Sequence, residues 1–93
     1  MTIFVYAGQT SIGLEVGNGG QVQVLNGGTA LATVVSSLGT QVVLFGGLVS
    51  GTVLSGGTEL DNGTASATIV YAGGAEVVSA GGTTIGLTIS SGG

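Results

Sequence analysis

Four carboxylates, Glu15, Glu59, Asp61 and Glu76, and nine serines are the side chains here with the clearest capacity for chemistry, and no Lys, Arg, His or Cys accompanies them. A serine without a histidine or lysine to take its proton is a weak nucleophile, so neither a Ser-His-Asp nor a Ser-Lys hydrolase can be assembled. Glycoside cleavage uses two carboxyl groups flanking the scissile bond. Only Glu59 and Asp61 lie close along the chain, and Asp61, Asn62 and Gly63 read as a corner. Zinc and transition metals find no imidazole or thiolate. Calcium takes about six to eight oxygens. Glu59 and Glu76, equivalent in neighbouring blocks of the sequence, fall short of that and are expected as solvated, outward-facing charges. The sequence therefore predicts a non-enzymatic chain with no catalytic residue, no metal and no cofactor. A formal charge of -4 repels phosphate backbones and anionic lipid, which argues against nucleic acid as a partner. The apolar run from Ile3 to Ala7 is too short for a secretory signal or a membrane span, so no membrane insertion of this segment is expected.

The elements that carry these side chains follow from a repeat. The chain divides into blocks 10–28, 29–47, 48–63, 64–82 and 83–93, with 1–9 as the tail of a partial first rung; the period is 19 residues, with one block shortened to 16. In alignment, one apolar column holds Val16, Val35, Leu54, Val70 and Ile89, and a second holds Val5, Val24, Val43 and Val78, with Leu60 as the nearest match in the short block. These are the expected core. A third column, Gly13, Ala32, Gly51, Ala67 and Gly86, is always small, as backbone crowding in a narrow coil would require. Gly20, Gly39, Gly57, Gly74 and Gly93, and likewise Gly28, Gly47, Gly63 and Gly82, fall where strands should end and are expected as corners at positive φ.

Abundant β-branched residues argue for strands and against disorder, and the glycine frequency argues against helix. Constant spacing of two strands and two corners fits an all-β solenoid better than a sandwich of hairpins. The fold class expected is a right-handed parallel β-helix of about 19 residues per rung and about five rungs, one β-solenoid repeat segment over 1–93, with no evident caps. Uncapped sheet edges invite end-to-end or side-by-side association with another copy. The columns Thr10, Thr29, Thr64, Thr83 and Thr33, Thr52, Thr68 are read as stacked strand formers, and Phe4, Tyr6, Phe45 and Tyr71 as covering the outside or the ends. A break midway through a block favours an excerpt of a longer solenoid; the alternative is a secreted filament subunit that stacks end to end.

The blocks "TASATIVYAGGAEVVSAGG" (64–82) and "TTIGLTISSGG" (83–93) resemble the strand-loop-strand repeats of AIDA-type autotransporter adhesins. The resemblance covers nearly the whole chain and implies a β-helix displayed at the bacterial cell surface or secreted, acting in adhesion, self-association and biofilm growth. It also implies a heptosyltransferase as partner, with serine or threonine as acceptor. The serine-before-glycine pattern selects Ser90 and Ser91 in "SSGG", Ser55 in "LSGG", and Ser36 and Ser37 in "SSLG", where Leu38 replaces a glycine. "VGNGG" and "YAGG" stand at that place in two other blocks, so the pattern is not a regular ladder; corner hydrogen bonding is the competing role for these serines.

Overall fold

The structure is a computed structural model and describes residues 2–93. Its strands follow one another as rungs of three. The first rung holds β1 (Thr2–Val5), β2 (Thr10–Ile12) and β3 (Glu15–Val16), and the second β4 (Gln21–Val24), β5 (Thr29–Leu31) and β6 (Val34–Ser36). The third holds β7 (Thr40–Val43), β8 (Leu48–Ser50) and β9 (Val53–Ser55), and the fourth β10 (Thr58–Asp61), β11 (Thr64–Ser66) and β12 (Ile69–Val70). The fifth holds β13 (Ala75–Val78), β14 (Thr83–Ile85) and β15 (Thr88–Ile89). Every strand pairs in parallel with its counterpart one rung away, which gives three five-stranded sheets, β1-β4-β7-β10-β13, β2-β5-β8-β11-β14 and β3-β6-β9-β12-β15. The fold is a parallel β-solenoid.

Three strands per rung, where the sequence suggested two, trace to the always-small column. Gly13, Ala32, Gly51, Ala67 and Gly86 all have φ between 56 and 75°, so each is a left-handed corner between the second and third sheets. Crowding is not their reason. A Cβ on Gly13 would meet nothing within 4 Å, and one on Gly51 would come no closer than 3.7 Å to Ala32. Alanine can occupy such a corner at a cost of roughly 1–2 kcal/mol.

The paired glycines work the other way round. Gly20, Gly28, Gly39, Gly47, Gly57, Gly63, Gly74, Gly82 and Gly93 are not at positive φ; at every one except Gly63 the left-handed residue is the one before, as at Gly27 with φ 84°. Gly27 is the third residue of a β-turn closed by Gly28 N donating to Leu25 O at 2.8 Å. Gly28 itself lies against the rung beneath, where a Cβ would stand 2.5 Å from the carbonyl oxygen of Val5. Carbonyl oxygens of the preceding rung lie in the same way under the other glycines of these columns apart from Gly20. The left-handed corner and the close approach thus fall to neighbouring residues.

Strand alternation sends every second residue inward. Val5, Val24 and Val43 from the first sheet, and Val16, Val35, Leu54 and Val70 from the third, are buried. Val78 and Ile89 stand in the same inward columns but are 43% and 60% exposed, because the fifth rung is covered from one side only. In the short block the core position belongs to Asp61, the register partner of both Val43 and Val78, and Leu60 faces outward. The missing residues explain the substitution. Val43 to Leu48 spans the usual corner, whereas Asp61 reaches Thr64 two residues sooner, and the Asp61 side chain closes this tighter bend by accepting from Gly63 N at 3.0 Å.

The two glycine roles separate experimentally. Gly28→Ala, which drives a Cβ into backbone, should lower stability by about 3 kcal/mol, and Gly13→Ala, which strains only φ, by about 1 kcal/mol; denaturant midpoints of the two variants check the order.

Candidate functional site

The turn that follows the third sheet gathers most of the hydroxyls the sequence singled out. Gly17, Ser36, Tyr71 and Ser90 open this turn in their rungs, and Ser55, the register partner of Ser36, stands at the same place in the third rung, where the connection is one residue shorter, so the rod has one edge on which a serine can recur. Ser36 and Ser55 are register partners on β6 and β9, and both are exposed. Ser37 and Ser91, next along the turn, are exposed as well, and Ser90 is half-buried. Leu38 takes the left-handed place that glycine holds elsewhere, with φ 67°, so "SSLG" makes the same β-turn, closed by Gly39 N donating to Ser36 O at 2.9 Å. The Leu38 side chain is 75% exposed beside Ser37. Tyr71 and Gly17 interrupt the edge between and beyond the serines. Ser79, exposed in "SAGG", opens the corresponding turn after the first sheet, a position the serine-before-glycine reading passed over.

The outside of the rod is almost free of charge. Among the four side-chain carboxylates only Glu15 is exposed, on β3. The outward face of the first sheet instead shows Phe4, Leu60 and Val77, with Tyr6 stacked on Phe4 at a ring-centroid distance of 5.9 Å. A chain with formal charge of -4 therefore presents very little of it to a partner.

The other carboxyls are inside, which corrects the expectation of outward charges. Glu59 is fully buried on β10, paired in register with Gln41 on β7 and with Glu76 on β13; Glu76 points the same way and is half-buried. The reason is register: their column begins with Ile3 and Val22 and faces the core. The second threonine column also faces inward. Thr33, Thr52 and Thr68 are fully buried, and two of them each donate to one interior polar oxygen. Thr52 Oγ1 donates to Gln41 Oε1 at 3.1 Å, and Thr68 Oγ1 to Glu59 Oε1 at 3.3 Å. From the second sheet, Thr84 Oγ1 donates to Glu76 at 3.1 and 3.3 Å. Thr33 Oγ1, Gln41 Nε2, Glu59 Oε2 and Asp61 Oδ2 are buried without a partner. Desolvation, reinforced by Glu76 and Asp61, pushes Glu59 up to about 9. Desolvation also raises Asp61, to about 6, against the lowering effect of the Gly63 N–H.

Two cavities lie at the ends of the coil. One of about 150 Å³ is lined by Ile3, Glu15, Val16, Gly17, Asn18, Gly20 and Gln21. The other, of about 330 Å³, is lined by Val70, Gly74, Ala75, Glu76, Leu87, Ile89 and Gly93. Each is lined by one side-chain carboxyl, Glu15 in the first and Glu76 in the second.

A parallel β-solenoid with a hydroxyl-bearing turn edge and a nearly uncharged exterior is thus the class of protein defined. No family model matches the sequence, and no curated protein matches it. Among solved structures, the chain is similar to the crystal structure of the TibC-catalyzed hyper-glycosylated TibA55-350 fragment, with a TM-score of 0.81 and 27% sequence identity. The match covers 99% of this chain and 41% of that one, so the chain spans less than half the length of the fragment it matches.

The interior threonines differ in what their hydroxyls do. Thr33→Val, which removes an unpartnered hydroxyl, should leave stability unchanged or raise it, whereas Thr52→Val strips Gln41 Oε1 of its donor and should cost about 1–2 kcal/mol. Urea unfolding of the two variants checks the contrast.

Proposed function

We propose that this chain is a non-enzymatic, adhesive repeat segment of a bacterial autotransporter-like adhesin of the AIDA type, displayed at the cell surface or secreted. The observation that carries the reading is the similarity over 99% of the chain to a solved β-solenoid that is itself hyper-glycosylated. In this reading the rod supplies rigid length, and its turn edge supplies acceptor oxygens for a heptosyltransferase. Ser36 and Ser55 are the leading acceptors, because they are exposed register neighbours at the start of consecutive turns. Ser37, Ser90 and Ser91 extend the same edge. A transferase binding this edge needs no local unfolding of the strands, since Ser36 and Ser55, at the ends of β6 and β9, are already exposed.

Self-association belongs to the same reading. With Glu15 the one exposed side-chain carboxylate, two rods meet little repulsion, and the Phe4, Leu60 and Val77 face offers apolar area for side-by-side contact with a second copy.

Co-expression with the TibC glycosyltransferase and measurement of intact mass tests the acceptor role. The mass should rise in whole steps of one sugar, and Ser36→Ala with Ser55→Ala should remove two of those steps. A chain that leaves the co-expression at its bare mass contradicts glycosylation of this edge.

A further inference from the structure

Glu59 sits where an ionised carboxylate has no counterpart. From β7 it faces Gln41 and Val43, from β13 Glu76 and Val78, and from the third-sheet side Thr52 and Thr68; on its own strand Asp61 shares the same interior. Among these, Glu76 and Asp61 are the groups that titrate, and both would be negative. No lysine, arginine or histidine exists in the sequence to balance them, and the remaining carboxylate side chain, Glu15, is exposed on β3.

The hydrogen bonds show which protonation state fits. Glu59 Oε1 accepts from Thr68, but Glu59 Oε2 is buried with no donor near it. Across the rung gap stands Glu76, the register partner of Glu59 in the same inward-facing column. Two ionised carboxylates have no hydrogen to share and would only repel. A neutral carboxylic acid converts the orphan oxygen into a donor aimed at an acceptor. Thr84 Oγ1 already donates to the Glu76 carboxyl, which holds it in place as the acceptor.

We propose that the coil encloses a proton-binding site in its fourth rung, where Glu59 is kept as the neutral acid and donates its Oε2–H to Glu76, so that the bound proton is part of the core and alkali loosens the solenoid at this rung. Acid conditions then tighten the rod and alkaline conditions open it, with no metal or second protein required. The proposal is independent of the adhesive reading, since it concerns groups that no surface partner touches.

The direction of the titration follows from the two raised groups. Both Glu59 and Asp61 bind protons more tightly folded than unfolded, so their stabilisation is fully present below the ordinary carboxylate range. It is lost as pH rises, through about 6 for Asp61 and through about 9 for Glu59. The unpartnered Asp61 Oδ2 lies in the same core column as Val43 and is the group expected to titrate first.

Thermal unfolding followed by circular dichroism between pH 4 and pH 10 tests this on the full chain. The wild-type Tm should be highest at the acid end and fall by at least about 5 °C by the alkaline end, in two phases. Glu59→Gln replaces the acid with a neutral amide that still donates to Glu76; it should remove the alkaline phase, keep the phase near pH 6, and match or exceed the wild-type Tm at pH 9. Asp61→Asn should do the reverse. A Glu59→Gln variant whose Tm tracks the wild type through the alkaline range overturns the proposal. Carboxyl carbon chemical shifts of the wild type give the same decision without any variant: one glutamate that keeps its proton past pH 7 supports it, and three glutamates that all ionise below pH 6 overturn it.

Discussion

Everything in this fold depends on one contact, the seating of each rung's turn on the carbonyl oxygens of the rung beneath. Gly28 over Val5 and Gly82 over Asp61 lie so close that any Cβ would enter the backbone below. Because the turns come this near, the hydrogen-bond ladder does not stop at the strand ends. Gly8 N donates to Gly27 O and Gly27 N to Gly46 O, each at 3.0 Å, which carries the ladder around the corner. A coil whose corners carry part of the ladder from rung to rung stacks at one spacing. The exposed Ser36 and Ser55 of the turn edge owe their stacking to the same seating.

The fourth rung shows what happens when the pattern is cut. Losing two residues between Asp61 and Thr64 shortens the corner that elsewhere runs from Val43 to Leu48. Asp61 then serves as a local replacement for turn backbone, through its bond from Gly63, while occupying a core column that holds valine in four other rungs. Glu59 and Gln41 bring further polar groups into the same section of the interior, where threonine hydroxyls meet only part of their demand. The middle of the rod thus sets these polar groups beside aliphatic packing that runs on from Val5, Val22 and Val24 through Val43, Val49 and Ala65, with Val35, Leu54 and Val70 as a second cluster.

The period, the parallel stacking and the two apolar columns were legible because they recur: valine or leucine at one place per rung is a signal a single sequence can carry. The third strand was not, since a pair such as Glu15 and Val16 is too short to alternate visibly, and Ala32 or Ala67 in a left-handed corner looks like an ordinary strand residue. Glycine type alone could not say which of two adjacent glycines bends and which one makes room; that depends on the rung beneath. The buried acids were hidden for a different reason. Charge is normally the best sign of an outward position, and at Glu59 and Asp61 it yields to register. Counting along β10 from the known core columns would have exposed the conflict, because Glu59 and Asp61 share one parity and Leu60 the other. The serines of the hydroxyl edge, Ser36, Ser55 and Ser90 among them, were legible from the serine-before-glycine pattern; that "SSLG" makes the same turn was not, because it depends on Leu38 taking glycine's conformation.

Paired cysteines on the outer face of the first sheet test the stacking most directly, since the sequence contributes no cysteine of its own. Gln23 and Val42 are register partners on β4 and β7, so Gln23→Cys with Val42→Cys should form a disulfide rapidly under mild oxidation in the folded monomer. Gln23→Cys with Leu60→Cys, two rungs apart, should not, because about 7 Å between Cα atoms is already too far. A bridge in the second pair with none in the first would contradict the in-register parallel coil and, with it, the account built on it.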